Sequence, residues 1–312
     1  MTGVWMEWQP EQLESVACDL CGGFESAPVC RRPDGLTAVA CSRCGLCYIN
    51  PRPKTEHLGG LYDESYFRKD SQSTRIGFDN YLSDESRSAV RARRTEGLRA
   101  LRKMGVPPPV NCLEIGCATG EFCHLISQQQ ATVSGLDISA YAIEEARRRY
   151  PGIHFRHGDI GILSPSERYD TIFAFDVIEH VPSPSQFLQR LQSHLLPGGT
   201  TVLTTANYEC AQVTAADHWM GFLMSFEHLY FLAPAILSRM GNQAGLRMID
   251  FYTGGTGRMP VADSRIRSAM RWSLRQARLL ALCRCIRKST RPGSFYRPKG
   301  RGHSLLIAFR SS

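Results

Sequence analysis

Four cysteines near the start of the chain fall into two Cys-x-x-Cys pairs, Cys18-Asp-Leu-Cys21 and Cys41-Ser-Arg-Cys44, each followed at once by a glycine, Gly22 and Gly45. Thiolates are soft ligands. Two such pairs about twenty residues apart match a tetrahedral zinc site, with the glycines letting backbone amides turn toward the sulfurs. Four thiolates saturate the metal, so the spacing predicts structural zinc with no open position for a substrate. Four free or redox-active thiols are the alternative. Cys30 and Cys47 are spare in this arrangement, and Cys47 fills the apolar face of the ribbon.

A second group of residues reads as a ligand cradle. The apolar run VNCLEI leads straight into Gly116-Cys117-Ala118-Thr119-Gly120 and then into a helical stretch. A strand, a glycine-bearing turn and a helix N-terminus let a ligand approach the backbone closely, because glycine has no Cβ in the way. Asp137 closes the next strand in GLDIS, about 20 residues past the turn, where a carboxylate can accept hydrogen bonds from two ribose hydroxyls. Asp159 in HGDI follows the third strand and Asp176 ends the fourth, all at the carboxyl edge where open α/β sheets bind ligands. A helix cap before Ser139 is the bland reading of Asp137.

Taken in order, LEIGCATGEF, GLDIS, HGDI, FAFDVIEHV and LLPGGTTVLTT resemble the successive motifs of class I S-adenosylmethionine-dependent methyltransferases, over roughly 110–205. Ala118 stands where the glycine-rich ideal has its middle glycine. The resemblance implies S-adenosylmethionine as cofactor. Glu114 and Gly116, with Cys117 and Gly120 in the same turn, would line its methionine and ribose end. Asp137, followed by Ile138, would hold the ribose, Asp159 and Ile160 would meet adenine, and Phe175 and Asp176 would border the methionine and the acceptor. A dinucleotide site is disfavoured because Gly-x-Gly-x-x-Gly is absent and DVIEHV has no place in it.

Methyl transfer to a protonated acceptor needs a base, and histidine is the natural one. His180 follows Asp176 at the exit of the fourth strand, with Glu179 beside it to orient the ring or cap a turn. His228, in SFEHLYFLAP, lies in a long irregular segment after the fifth strand, and its alternative is plain packing among Phe226, Leu229 and Phe231.

The elements that must position these groups follow from periodicity. From Val110 to about Phe251 short apolar runs alternate with amphipathic stretches, the pattern of βαβ units. Six runs plus the late SLLIAF predict a doubly wound, mainly parallel seven-stranded sheet. The chain divides into an N-terminal zinc ribbon (1–50), a linker and helical lid (51–109), the core (110–252), a basic helical insertion (253–302) and a final strand (303–312). With 312 residues, 43% of them hydrophobic, there is enough for one large core and a small appendage. No apolar run reaches the roughly 20 residues of a membrane span, and the N-terminus does not read as a secretory signal, so the expected compartment is the cytoplasm.

The net charge of +8 concentrates in 87–103 and 258–301 and permits an anionic partner. A small-molecule acceptor is the expected substrate, since the tract CSRCGLCYINPRP followed by LYDESYF is similar to the lead-in of zinc-ribbon methyltransferases of glycan, lipid or secondary-metabolite pathways. An RNA methyltransferase is the alternative, although the ribbon has few bases beyond Arg31, Arg32 and Arg43. A non-catalytic scaffold that only binds the cofactor is a third reading. In 264–288, Arg267, Arg271, Arg275 and Arg278 recur at helical spacing, as in a helix resting on an anionic membrane or guiding a lipid-linked substrate, or simply as a solvated face.

Overall fold

The computed structural model describes residues 8–68, 81–209, 221–222, 225–254 and 304–311, and the backbone of 296–298. The strands, in chain order, are β1 (Leu13–Glu14), β2 (Ser26–Arg31), β3 (Thr37–Cys41), β4 (Cys47–Ile49), β5 (Arg52–Pro53), β6 (Asn111–Ile115), β7 (Thr132–Asp137), β8 (His154–His157), β9 (Tyr169–Phe175), β10 (Leu195–Ala206), β11 (Tyr230–Phe231), β12 (Leu246–Gly254), β13 (Tyr296–Pro298) and β14 (Ser304–Ser311). The helices are α1 (Glu64–Phe67), α2 (Asp84–Lys103), α3 (Glu121–Ser127), α4 (Ala140–Arg149), α5 (Pro184–Ser193) and α6 (Pro234–Gln243).

The main sheet runs in the order β13-β12-β14-β10-β9-β6-β7-β8. Strands β8, β7, β6, β9 and β10 are parallel, while β14 pairs antiparallel with both β10 and β12. The seven expected strands are all present. An eighth, β13, adds an edge pairing with β12 from within the stretch read as a basic helical insertion. The arginine-rich stretch 264–288 lies outside the described residues. Chain order reverses between β6 and β9, which opens a crevice at their carboxyl ends.

Local sequence explains the elements. In β9 the run from Thr171 to Phe175 is buried throughout, as a central parallel strand covered on both faces should be. Helix α2 begins at Ser83, whose hydroxyl accepts from the Ser86 amide, carries Asp84 and Glu85 in its first turn and Arg102 and Lys103 in its last. Its buried face holds Leu98 and Leu101.

The N-terminal ribbon does not stand apart. Its sheet, β11-β4-β3-β2, takes its last strand from residues 230–231, with Tyr230 opposite Tyr48 and Phe231 opposite Cys47. One apolar cluster accordingly runs from Cys18, Leu46 and Tyr48 through Phe231 to Leu203 and Ile172 on one face of the main sheet, and a second, around Phe122, Phe173 and Leu306, fills the other. Among the described residues, no helix is long and apolar enough to cross a membrane.

Candidate functional site

The glycine turn after β6 is shaped for close approach. Gly116 has φ +72°, and a Cβ there would collide with Val177. Gly120, at φ +82°, abuts the Phe155 ring. Ala118 adopts φ +45°, a left-handed conformation that explains why glycine is the ideal at this position.

Asp137, at the end of β7, accepts from the Ala118 amide at 2.7 Å through Oδ2 and from the Ser139 amide at 2.8 Å through Oδ1. It is therefore a tie between the glycine turn and β7, and the N-cap of α4 is Ser139, whose hydroxyl accepts from the Ala142 amide. Each carboxylate oxygen keeps a second lone pair for a ligand. Burial raises the Asp137 carboxyl, against the pull of those two amides. Glu114 is 4% exposed and accepts from the Cys123 thiol at 3.1 Å, and burial pushes its carboxyl up to about 8.

Two sequence-predicted cofactor residues turn inward. The Cys117 side chain is buried and lies against Gly135, so only its backbone borders the crevice. Ile160 is likewise in the core, whereas Ile138 is 44% exposed at the end of β7. Asp159 is exposed and accepts from the Gly161 amide at 2.7 Å. On the other side of the crevice, Asp176 sits at φ +57° and is bound by Thr204 Oγ1 at 2.8 Å. Arg93 and Arg94 of α2 approach its carboxylate at 3.6 and 3.4 Å. Partial desolvation raises this carboxyl, but the two guanidiniums outweigh it and hold it at about 2. The Arg94 guanidinium also lies 3.9 Å from the Phe175 ring centroid.

His180 and His228 come together, their ring centroids 4.7 Å apart and nearly perpendicular. Nδ1 of His180 lies 3.1 Å from the Tyr62 hydroxyl and 3.2 Å from the Glu227 carbonyl. Burial lowers the His180 imidazolium to about 4, so the ring is neutral near pH 7. His228 is held well below the ordinary range, first by burial and then by the neighbouring His180 ring and the charge of Arg32. Among the described residues its buried Nδ1 has no hydrogen-bond partner, and its Nε2 stands 3.9 Å from Glu179 Oε1. The Glu179 backbone carbonyl takes the Leu229 and Tyr230 amides, tying the two histidine segments together. One ligand atom from each of Glu179, His180 and His228 lies within 4.8 Å of the others, a grouping that also suits a cation.

Tyr62, Arg93 and Arg94 were not singled out from sequence, although the tyrosine-rich LYDESYF and the arginine run of α2 carried a signal. Tyr62 stacks edge-on against both Tyr66 and His180.

The four ribbon cysteines converge as their spacing predicts. Sγ of Cys18 and Cys44 are 3.3 Å apart, Cys21 and Cys41 3.5 Å, and all four lie within 4.8 Å. Zinc–thiolate bonds of about 2.3 Å in a tetrahedron space sulfurs about 3.8 Å apart, so the set fits a zinc ion. Backbone amides of Arg43 and Cys44 point at the Cys41 sulfur and, against desolvation, bring its thiol down to about 7. Cys47 is fully buried beside this set, where burial pushes its thiol up to about 12.

Of the three ribbon bases counted toward an RNA surface, Arg31 and Arg43 are exposed, but the Arg32 side chain has 0% exposure and is spent on internal partners.

Known methyltransferases match parts of this chain. The chain is 27% identical over 149 residues to the ubiquinone biosynthesis O-methyltransferase of Coxiella burnetii, covering 44% of this chain and 64% of that protein. It is 34% identical over 101 residues to the trans-aconitate 2-methyltransferase of Methylobacterium nodulans, covering 32% of this chain and 39% of that one. The chain thus spans 64% of the length of the ubiquinone enzyme it matches. The N-methyltransferase NodS of Bradyrhizobium japonicum, solved with S-adenosyl-L-homocysteine, superposes with a TM-score of 0.48 at 18% identity, over 81% of this chain and 96% of that one. The methyltransferase-domain family matches residues 84–250, from the start of α2 into β12. The chain belongs to that family and has the class I, S-adenosylmethionine-dependent fold.

Proposed function

We propose that this protein transfers a methyl group from S-adenosylmethionine to a small-molecule acceptor, with His180 and His228 handling the acceptor's proton. The observation that carries the acceptor half is the pair of buried, perpendicular imidazoles at the exit of β9, with Nδ1 of His228 unpartnered among the described residues. An orphaned buried nitrogen is costly unless a ligand completes it. The cofactor supplies an activated methyl at its sulfonium. Asp137 holds the ribose, the Gly116–Gly120 turn lines the methionine end, and Ile138 covers adenine while Asp159 takes its polar edge. A neutral histidine accepts a proton from an acceptor hydroxyl or amine as the methyl arrives. The relatives act, by their names, on small molecules, in keeping with this reading. The ribbon cysteines hold one structural zinc.

Calorimetric titration with S-adenosylmethionine and S-adenosylhomocysteine, on wild type and Asp137→Ala, tests the cofactor half: micromolar binding lost in the variant is expected. Radiolabelled methyl transfer to a panel of phenols, carboxylates and amines, with ribosomal RNA as a separate arm, then tests the acceptor. Turnover on RNA alone would overturn the small-molecule reading, and full turnover by both His180→Ala and His228→Ala would overturn the base. The 4.8 Å grouping of Glu179, His180 and His228 favours a second reading, a divalent cation at the acceptor. Turnover abolished by EDTA and restored by magnesium would select it.

A further inference from the structure

The hairpin between β2 and β3 turns through Arg32-Pro33-Asp34-Gly35, with the Gly35 amide bonded to the Arg32 carbonyl. Pro33 and Gly35 at its tip are exposed, while two side chains of the turn point inward. The Arg32 side chain is 0% exposed and that of its ion-pair partner Asp34 is 3% exposed. All five guanidinium hydrogens have acceptors. Nε donates to Asp34 Oδ1 at 3.1 Å, and Nη2 donates to Asp34 Oδ2 and to the Phe226 carbonyl at 2.8 Å. Nη1 donates to the His228 carbonyl at 2.9 Å and to that of Ser225 at 3.4 Å. The guanidinium carbon also lies 5.6 Å from the centroid of the Phe226 ring.

Three carbonyls of one short segment are therefore gathered by a single cation from the ribbon. We infer that Arg32 is a positioning residue for His228: the ribbon hairpin fixes the backbone that carries the acceptor-side histidine. The role of His228 rests on the methyl-transfer reading, whereas the clasp itself does not. A buried guanidinium is tolerated only when its fork is fully satisfied, and lysine, a point charge with three donors, cannot reproduce that planar set.

The rest of the ribbon works in the same direction. The Ile49 amide donates to the Leu229 carbonyl at 2.9 Å, next to His228. On the His180 side, Arg52 Nη1 donates to the Pro182 carbonyl at 2.6 Å, and Asp19 accepts from Ser183 Oγ at 2.5 Å and from the Ser185 amide at 2.8 Å. The ribbon thus grips the chain on either side of the paired imidazoles. This gives a wholly structural zinc fold a reason to sit on this enzyme.

The test uses the full zinc-loaded chain with Arg32→Met and Arg32→Lys. Zinc content and S-adenosylhomocysteine binding are measured first and should stay within about twofold of wild type, since Arg32 touches neither site. Amide hydrogen exchange in 225–231 should then rise by at least about tenfold in Arg32→Met and less in Arg32→Lys, with β6 to β9 unchanged. The His228 ring signal in a long-range proton–nitrogen spectrum, assigned by its loss in His228→Gln, should move in both variants. Unchanged exchange in 225–231 together with an unmoved His228 signal would overturn the proposal. So would exchange rising evenly across the whole sheet, the mark of a merely structural residue. Should Arg32→Met fail to fold, Arg32→Lys, which keeps the charge, carries both readouts. Wild-type protein that binds no S-adenosylhomocysteine while showing the expected clasp signals would overturn the methyl-transfer reading alone.

Discussion

The amide of Ala118 donates to Oδ2 of Asp137 at 2.7 Å while the residue itself is held at φ +45°. The bond joins the glycine turn after β6 to the end of β7, and the backbone pays for it with a left-handed alanine. Such a conformation costs an L-residue about 1–2 kcal/mol, while glycine loses about 0.4–1 kcal/mol more entropy on folding. Ala118→Gly should therefore stabilise the protein by about 0.5–1 kcal/mol and leave S-adenosylhomocysteine affinity nearly unchanged. Urea denaturation reads the first and calorimetry the second. A destabilised variant would show that the φ of Ala118 is not a source of strain.

A zinc ion in the ribbon would bear on more than the ribbon, because β4 pairs with β11 and so with the segment after His228. Freshly purified protein should contain about one zinc per chain, and Cys41→Ser should lose it. Stripping the metal with a mercurial and a chelator should lower the melting temperature by on the order of 5–10 °C. Protein purified without zinc, and with a melting temperature indifferent to its addition, would sink the assignment.

The strands of the sheet, the turn after β6 and the cysteine cluster were legible because each is local: a strand, its turn and the next helix lie within about thirty residues. Arg32 was not. Its turn, Pro33-Asp34-Gly35, is readable as a turn, but its acceptor, the His228 carbonyl, lies 196 residues away, and nothing in the sequence marks a buried arginine among exposed ones. Ile160 is ambiguous for a related reason. An apolar residue after a strand reads alike whether it covers a ligand or fills the core, and burial assigns Ile160 to the core and leaves Ile138 exposed. The histidines were found by their strand-end position and flanks, yet their 4.7 Å approach depends on Glu179 taking the Leu229 and Tyr230 amides, a long-range pairing with no sequence signature.

If the cofactor sits as proposed, Glu114 would make its binding release a proton. With its carboxyl at about 8, the free protein near pH 7 carries it mostly protonated. If the methionine ammonium settles beside Glu114, as the resemblance implies, ionisation becomes favourable and binding releases up to about one proton. Calorimetry of S-adenosylmethionine binding near pH 7 in phosphate and in Tris should give enthalpies that differ by the buffers' ionisation enthalpies times the protons released. In Glu114→Gln the difference should vanish. Equal enthalpies for wild type would mean that Glu114 does not change protonation when the ligand binds.

Stability toward acid should depend on Glu167, which anchors the β8 edge. Its carboxylate takes both Nη1 and Nη2 of Arg156, at 3.1 and 2.8 Å, together with the Ser164 amide at 2.6 Å and the Tyr169 hydroxyl at 3.0 Å. The Arg156 bonds chiefly, reinforced by the others against some desolvation, lower the carboxyl to about 2. The folded value lies below the unfolded one of about 4.3, so the contribution is fully present above about pH 5 and fades as pH falls toward 2. With the side chain 29% exposed, solvent screening reduces it to about 1–2 kcal/mol. Glu167→Gln should lose that amount in urea denaturation at pH 7, and the gap to wild type should close steadily between about pH 4.5 and 2.5. A gap that stays constant down to the lowest pH would show that the variant lost packing instead of an ionised pair.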